Sequence, residues 1–381
     1  MSALPSPRTM YKALSRRDSA YEGIFYTAVK TTGIFCRPTC KARTPLAKNI
    51  EFFPTTASAL AAGYRACKRC KPLDQPGTPP AWLTKLRTQV DRNPALRLRD
   101  TDLRAMHLEP ATARRQFKRH YGMTFHAYAR ARRVGTAFQT LRTGKPKMTQ
   151  LQSAAGYESE SGFREACESL LGSSNPNHTN ILPARWLTTP LGPMLALADD
   201  QGLHALEYID RRGLERQLLR LRKSLQATIL PTDHPHLDAI EKEMTLYFEG
   251  KSFLGSPSLR EGAGGWVPDL FIAPKRANNA ANLASRSFPI PLTPKGSDFQ
   301  HQVWNQLRQI PLGTTISYGQ LAKRIHRPTA SRAVARANGD NFLAIVIPCH
   351  RVIGSDGSPA GYGGGIWRKL WLLEHEKKML S

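Results

Sequence analysis

The sequence predicts a multidomain α+β protein. Its length of 381 residues suggests two to four domains, each with its own hydrophobic core. Helical and strand-like patterns occupy different segments instead of alternating along the whole chain. Two short cysteine pairs near the start add a small unit of a different kind. These observations predict a small metal-binding α/β part, an all-helical part, and a C-terminal part that mixes strands and helices.

Composition divides the chain further. A linker rich in proline, DQPGTPP (74–80), follows the cysteine-rich segment, and the segment after it has a helical pattern. Residues 251–287 are rich in Gly, Ala, Asn, Ser and Pro without a sustained period, which predicts a long loop or a disordered insert. The third segment otherwise mixes strand-like runs with a helix. The four predicted segments are residues 1–75, 81–176, 180–287 and 288–381.

Charge indicates the class of partner. The chain has 55 Lys and Arg against 29 Asp and Glu, a formal net charge of +26. Such an excess favours a polyanion, most simply nucleic acid, because each neutralised phosphate releases counterions. A basic solvated surface without a partner is the alternative. No apolar run approaches the ~18 residues of a membrane span, and the polar start lacks a signal-peptide core, so we expect an intracellular protein without a membrane partner.

The cysteine pairs have metal-ligand spacing. Cys36 and Cys40 form one pair, Cys67 and Cys70 form the second, and 26 residues lie between the two pairs. Four thiolates at this spacing suit tetrahedral Zn²⁺. One interpretation is a closed structural site. The other is chemical: Zn²⁺ with four thiolates carries a formal charge of −2, so a sulfur remains deprotonated and nucleophilic at neutral pH.

Residues 101–122 predict a short helix, a turn and a second helix. Phe117 and Tyr121 are four residues apart and would share the apolar face of the second helix. The opposite face would be basic and suited to contact with the phosphates and grooves of DNA. Its cations are Arg114, Arg115, Lys118 and Arg119.

The sequence IPCHRVIG (347–354) carries the second candidate nucleophile. An apolar run, LAIVIP (343–348), predicts a strand that ends at Pro348 and delivers Cys349 and His350 into a loop. A nearby imidazole gives a thiol the thiolate character that a nucleophile needs, here through a bridging water. A lone Cys-His pair is weak support, because most such pairs are structural.

The N-terminal motifs TTGIFCRPTCKAR (31–43) and AAGYRACKRCKP (61–72) resemble the N-terminal domain of the Ada adaptive-response family. The resemblance implies that Cys36 accepts a methyl group from a methyl phosphotriester of the DNA backbone. It also implies that Cys36, Cys40, Cys67 and Cys70 all bind the zinc. Nearby cations are candidate phosphate contacts or ordinary solvated side chains, namely Arg43, Arg65, Lys68 and Arg69.

Residues 101–122 and 151–172 resemble the paired helix-turn-helix units of the AraC type. The second unit departs from the pattern, because it has acidic residues where phosphate contact favours basic ones. This argues against promoter binding through both units. The acidic residues are Glu158, Glu160, Glu165 and Glu168. Cys167, in the same unit, is predicted to be a buried core thiol.

The segments 297–322, 330–341, 347–352 and 361–376 resemble, in order, the O6-alkylguanine-DNA alkyltransferases. The resemblance implies a ribonuclease-H-like α/β part followed by a winged-helix-like α part. It further implies that Cys349 is the alkyl acceptor, that His350 is a water-mediated base and that Glu376 orients the imidazole.

Three more residues have roles under this resemblance. Asn341 holds the active-site turn, Tyr318 donates a hydrogen bond to the guanine, and Arg332 fills the gap left by a flipped nucleotide. The alternatives are a surface phosphate contact for Arg332, a helix salt bridge for Glu376, and structural roles for Tyr318 and Asn341. The three glycines at 363–365 depart from the pattern of this family, and they could change which alkyl groups fit in the active site.

Together these features predict a protein that repairs alkylated DNA by irreversible transfer of alkyl groups to its own cysteines, a methylated-DNA–protein-cysteine S-methyltransferase. The expected cofactor is Zn²⁺. The expected partners are double-stranded DNA, including promoter DNA, and RNA polymerase, with the protein acting as a monomer in a prokaryotic cytoplasm or a eukaryotic nucleus. The alternatives are a DNA-binding regulator with structural zinc, and a transferase whose zinc domain only docks on DNA.

Overall fold

The computed structural model describes most of the chain and has the predicted mixed α/β class. The described residues are 4–18, 21–74, 79–142, 147–171, 180–251, 290–359 and 361–380. The middle of the predicted linker and the predicted insert at 251–287, apart from Lys251, lie outside these ranges.

The N-terminal segment forms a small four-stranded sheet with two helices. Its strands have the order β3-β1-β2-β4, with β2 and β4 parallel and the other pairs antiparallel. The two buried hydrophobic clusters of this segment contain three residues each, so apolar burial alone gives it little stability. The elements are α1 (Pro7–Arg16), β1 (Tyr26–Val29), β2 (Ile34–Cys36), a 3₁₀ turn (Ala47–Asn49), β3 (Ile50–Phe53), α2 (Thr56–Ala61) and β4 (Arg65–Ala66).

The second segment is helical, as predicted. Pro110 begins the second helix of the predicted pair and Gly122, in the left-handed conformation, ends it. Phe117 and Tyr121 are both buried with ring centroids 4.6 Å apart, so they share one face. The helices are α3 (Ala81–Arg92), α4 (Asp100–Ala105), α5 (Pro110–Tyr121), α6 (Phe125–Arg142), α7 (Met148–Ala154) and α8 (Glu160–Leu171).

The third segment is built on a second four-stranded sheet, with two helices where the sequence predicted one. The strand order is β7-β6-β5-β8, in which β5 and β8 are parallel. Both faces of β6 and β7 are buried, which matches their nearly continuous apolar sequences. The elements are β5 (Asn180–Thr189), β6 (Gly192–Asp199), β7 (Gly202–Tyr208), α9 (Leu214–Leu225), β8 (Ala227–Pro231) and α10 (Pro235–Phe248).

The two faces of this sheet belong to different cores. Trp186 lies in a cluster with Leu83 and Phe117 of the helical segment, and its indole donates a hydrogen bond to Tyr121 O at 3.1 Å. The opposite face, through residues such as Leu206, joins a larger core with α10 and the C-terminal segment. The sheet therefore holds the helical segment on one side and the segment that contains Cys349 on the other.

The C-terminal segment consists of short helices with one two-stranded parallel pair. Its elements are α11 (Asp298–Arg308), β9 (Ile316–Ser317), α12 (Tyr318–Arg324), α13 (Ser331–Gly339), a 3₁₀ turn (Cys349–Arg351), β10 (Val352–Ile353) and α14 (Ile366–Lys378).

The predicted strand at 343–348 is wrong. These residues form turns, and their only sheet-like pairing is an isolated bridge between Leu343 and Leu206. Ile345 has a φ of 71°, which no strand residue adopts. The run is apolar because it is buried in the larger core, and apolar content alone does not distinguish a buried strand from a buried turn.

Within the described residues, no helix has both the length and the apolar character needed to cross a bilayer.

A substitution at Gly135 of α6 tests how closely the helical segment packs against the sheet of the third segment. A side-chain carbon there would overlap the carbonyl oxygen of Pro231 at the end of β8, and Thr232 donates to Gly135 O at 3.0 Å. We expect Gly135→Ala to lower the free energy of unfolding by about 1–3 kcal/mol, the usual effect of overpacking. Urea denaturation measures the change, with the exposed Arg130→Ala in the same helix as control. Equal stability of the Gly135 variant and wild type would show that this contact yields without strain.

Candidate active site and metal centre

Asn341 organises the turn that carries Cys349. Its side-chain nitrogen donates to Ile347 O at 2.9 Å and lies 3.1 Å from Cys349 Sγ, while its oxygen accepts from Leu343 N at 3.0 Å. The amide thus supplies hydrogen bonds that a strand ladder would have supplied. Cys349 itself is 6% exposed, at the start of the 3₁₀ turn. The structure therefore brings Asn341 and Cys349 together, as the sequence predicted.

His350 and Glu376 form a buried pair. His350 Nε2 lies 2.8 Å from Glu376 Oε1, and both side chains are fully buried. Because Nε2 faces a carboxylate, we place the imidazole proton there. Burial lowers the pKa of His350 although Glu376 opposes the shift, so the ring is neutral at pH 7. His350 Nδ1 is buried and has no hydrogen-bond partner among the described residues, so its lone pair is available to accept a proton.

Glu376 has further partners that the sequence did not predict. Arg351 donates to both carboxylate oxygens, at 2.9 and 2.8 Å, and the Tyr247 hydroxyl lies 3.1 Å from Oε1. Burial opposes ionisation of this carboxyl, but His350 and Arg351 outweigh it and hold the pKa of Glu376 well below its usual range. Arg351 directly follows the Cys-His pair, which was its only signal. Tyr247 lies on α10 and had none.

The thiol of Cys349 is protonated at rest. Burial raises its pKa, and this effect exceeds the lowering by the hydrogen bond from Asn341. Arg211 and Lys369 also favour the thiolate, whereas Glu207 opposes it. A nucleophilic role for this sulfur therefore requires a base, and the site holds a neutral imidazole in the adjacent residue.

Tyr318 and Arg332 lie at the starts of two neighbouring helices. Tyr318 begins α12, and burial raises its pKa to about 12, so its hydroxyl keeps the proton and can donate it in a hydrogen bond. Arg332 is exposed in the first turn of α13 and has no ion pair with any residue the structure describes. Its neighbours Ala333 and Ala335 are small, so this helix can approach a nucleic acid closely.

The four N-terminal cysteines converge on one point. The Sγ atoms of Cys36, Cys40, Cys67 and Cys70 all lie within 4.8 Å of one another, close enough to share one tetrahedral ion. Buried Arg37, which was not predicted, braces the loops that carry them. It donates to Cys70 O at 3.0 Å and to Glu22 Oε1 at 2.7 Å.

The surroundings of the cysteine cluster are basic and open. Cys36 is partly exposed, whereas Cys40 is buried. The candidate phosphate contacts are all exposed, namely Arg43, Arg65, Lys68 and Arg69.

The helix-turn-helix cations are only partly free. Arg114 is bound to Asp100 of α4 at 2.9 Å, which leaves three exposed cations on α5, namely Arg115, Lys118 and Arg119. In the second unit, Glu158 and Glu160 pair with Arg97 and Arg164, while Glu165 and Glu168 face solvent. Cys167 is fully buried, which confirms the predicted core thiol.

Comparison with known sequences defines the class of this protein. Three family models match it: "Metal binding domain of Ada" at residues 9–73, "Helix-turn-helix domain" at 103–179, and "6-O-methylguanine DNA methyltransferase, DNA binding domain" at 298–378. The first covers the cysteine cluster and the last covers the Cys349 site. With the four converging thiols, the first match makes the cluster a zinc centre.

Full-length relatives identify the family. The bifunctional transcriptional activator/DNA repair enzyme Ada of Escherichia coli K12 is 34% identical over 373 residues, which are 96% of this chain and 95% of the relative. The regulatory protein ada of Salmonella typhimurium is 34% identical over 94% of each chain. A methylated-DNA–protein-cysteine methyltransferase of the same organism is 36% identical over 51% of this chain and 95% of its own length. The chain belongs to the Ada family.

Replacing Arg351 tests how much the buried network around Glu376 contributes to stability. We expect Arg351→Met to lower the free energy of unfolding by about 3–5 kcal/mol at neutral pH, because it leaves a buried carboxylate short of positive charge. The folded-state pKa of Glu376 is depressed, so its stabilising contribution is present at neutral pH and is lost as the pH falls through the acid range. The difference between wild type and variant should therefore shrink on acidification. Chemical denaturation at several pH values measures it.

The control for this experiment is Arg324→Met, at an exposed arginine of α12. A loss as small in Arg351→Met as in this control would show that the arginine contributes nothing to the network.

Proposed function

We propose that this chain repairs alkylated DNA by transferring alkyl groups irreversibly to two of its own cysteines. Cys349 takes them from O6-alkylguanine, and Cys36 takes methyl groups from methyl phosphotriesters. The observation that carries the proposal is the buried set at the first site, in which Asn341 contacts the thiol and Glu376 orients His350. The known activities of the full-length relatives, DNA repair and transcriptional activation, support it.

The reaction at Cys349 follows from this geometry. His350 Nδ1 takes the thiol proton, through a bridging water, and the thiolate attacks the alkyl carbon. The S–C bond forms as the bond from that carbon to guanine O6 breaks, and the electron pair stays with the guanine. The guanine takes up one proton, which balances the proton that His350 removed from the thiol, so the net change is exchange of the thiol proton for the alkyl group. Tyr318 stabilises the departing base by donating a hydrogen bond.

The target base must leave the helix to reach a sulfur that is 6% exposed. Arg332 is proposed as the side chain that enters the stack and fills the gap. Its position in the first turn of a helix with small neighbours suits minor-groove insertion. The exposed cations of α5 would hold the DNA backbone, and the four segments predicted from the sequence would be the working domains.

At the N-terminal centre, Cys36 would form an S–CH₃ bond as the methyl–oxygen bond of a phosphotriester breaks, leaving an anionic diester. Zinc, when bound by the four cysteines, keeps the thiols deprotonated. Cys36 is partly exposed, and the segments that carry the other three cysteines also carry exposed cations, which suits an acceptor that faces a DNA backbone.

Regulation is the finer part of the proposal. Promoter binding would rely on α5, because the second helix-turn-helix unit exposes Glu165 and Glu168. Activation of transcription would require contact with RNA polymerase. We further propose that the protein acts as a monomer on the DNA of a prokaryotic cytoplasm or a eukaryotic nucleus.

Cys349→Ala should abolish transfer from O6-methylguanine, because it removes the nucleophile, while duplex affinity stays within about twofold, because no phosphate contact is lost. The assay follows labelled methyl groups from a duplex to the protein. The matched control is the buried Cys167→Ala, which should transfer normally. Labelled methyl leaving the guanine at the wild-type rate in the Cys349 variant would overturn the assignment.

Arg332→Ala should slow repair of duplex DNA more than repair of single strands. Base flipping costs a few kcal/mol only where a stack must be opened, so support for the gap matters only there. Single-turnover rates on the two substrates give the comparison, and the exposed Arg336→Ala on the same helix serves as control. Equal losses on both substrates would assign Arg332 to a simple backbone contact.

Cys36→Ser should stop demethylation of phosphotriesters and leave guanine repair unchanged, because the two sites share no residue. The measurement is peptide mass analysis after incubation with DNA that carries each lesion separately. Zinc content must be checked alongside, because loss of the ion would also stop the reaction. Continued triester demethylation by a zinc-loaded variant would make the cluster purely structural.

A further inference from the structure

Two charged side chains beside Cys349 come from the third segment and have no role in the reaction described above. Glu207 is the penultimate residue of β7, and Arg211 follows it by four residues. They form an ion pair and are 2% and 9% exposed, respectively. A buried pair of this kind is costly to desolvate and is a poor way to gain stability. Its remaining contacts therefore call for an explanation.

The guanidinium of Arg211 binds two backbone carbonyl oxygens that precede the active-site turn in the chain. One nitrogen donates to Asn341 O at 2.6 Å, and another donates to Gly339 O at the end of α13. Both acceptors are about 130 residues away in the sequence. A cation at this point donates hydrogen bonds to carbonyl groups at a helix C-terminus and interacts favourably with the helix dipole.

Asn341 is the residue through which this contact reaches the sulfur. Arg211 fixes its carbonyl, and its side chain lies 3.1 Å from Cys349 Sγ and also holds Ile347 O. A shift of the Asn341 backbone would move both side-chain contacts. The fork geometry of a guanidinium matters here, because it holds two carbonyl groups in a fixed relation.

The glycine-rich loop after Tyr362 is explained by the same arginine. A Cβ on Gly363 would lie 2.9 Å from both Cζ and Nε of Arg211, and one on Gly364 would lie 2.7 Å from the ring of Tyr208. Residues larger than glycine would push the loop away from this side of the site. The unusual glycines therefore accommodate Arg211 and Tyr208.

We propose that Arg211 is a positioning residue for alkyl transfer, which holds Gly339 and Asn341 so that the Asn341 side chain and the Cys349 sulfur keep their relation. The proposal rests on the function assigned to Cys349 above. Glu207 is the counterion that keeps the guanidinium in place. In this arrangement the third segment is a working part of the active site.

The test uses the full-length zinc-loaded protein and single-turnover transfer from an O6-methylguanine duplex. Arg211→Met should slow transfer about 10- to 100-fold, the effect of misplacing a reacting group by about 1 Å. Affinity for unmodified duplex should stay within about twofold. Arg211→Lys should recover part of the rate, because an ammonium keeps the charge but lacks the planar fork. The control is Arg212→Met, at the exposed neighbouring arginine.

A second readout separates positioning from charge. Glu207, Arg211 and Lys369 influence the ionisation of Cys349. Tyr318 and Tyr362 also interact with it electrostatically, and the adjacent His350 is paired with Glu376. The pH dependence of Cys349 alkylation by iodoacetamide, followed by peptide mass analysis, should move to higher pH in Arg211→Met. The double variant Glu207→Gln/Arg211→Met removes both charges. Its transfer rate should stay low if the carbonyl contacts matter, and a return to the wild-type rate would overturn the proposal.

These experiments distinguish failure of the positioning role of Arg211 from failure of the proposed function. Absence of transfer by wild type would defeat that function, whereas equal transfer by wild type and Arg211→Met would defeat only the positioning role. A slow Arg211→Met variant whose alkylation profile has moved, together with a wild-type transfer rate in Arg211→Lys, would also defeat it, because the positive charge alone would then explain the loss. If Arg211→Met does not fold, Gly363→Ala decides, since it displaces the guanidinium without removing it. We expect it to be at least threefold slower, and an unchanged rate would contradict the proposal.

Discussion

The carboxylate of Glu376 connects more of the C-terminal half than any other group described above. A buried charge costs several kcal/mol unless it is fully paired, so α14 must bring this residue to His350 and Arg351 together. Its contact with Tyr247 ties the third segment to the same point. The orientation of the imidazole, the docking of the last helix and the junction between two segments therefore depend on one side chain.

The two candidate acceptors are stabilised by different means. The N-terminal segment has hydrophobic clusters of three buried residues each, so its structure depends on the ion that four cysteines share. Cys349 lies in the largest hydrophobic cluster of the described residues and depends on hydrogen bonds from Asn341. Under the proposed function, one sulfur would be kept reactive by a metal ion, and the other by a base beside a buried thiol.

Local patterns allowed much of the site to be predicted. Cysteine spacing predicted the metal centre, and the structure brings together Cys349, Asn341, His350 and Glu376 as the family resemblance implied. The run at 343–348 was misread because a buried turn and a buried strand have the same apolar content. Arg211 and Tyr247 could not be predicted, because their partners lie about 130 residues away and leave no periodic signal.

Ile345 illustrates a compromise that affects any attempt to redesign this protein. A branched residue in the left-handed region costs roughly 1–2 kcal/mol, and Ile345 has a φ of 71°. It is also 2% exposed, and burying such a side chain contributes roughly 1.5–3 kcal/mol. Burial outweighs the strain, so glycine, the usual remedy for a positive φ, would relax the backbone but leave a cavity in the hydrophobic core that also contains Cys349. Thermostability engineering should therefore leave this position unchanged and search the exposed surface.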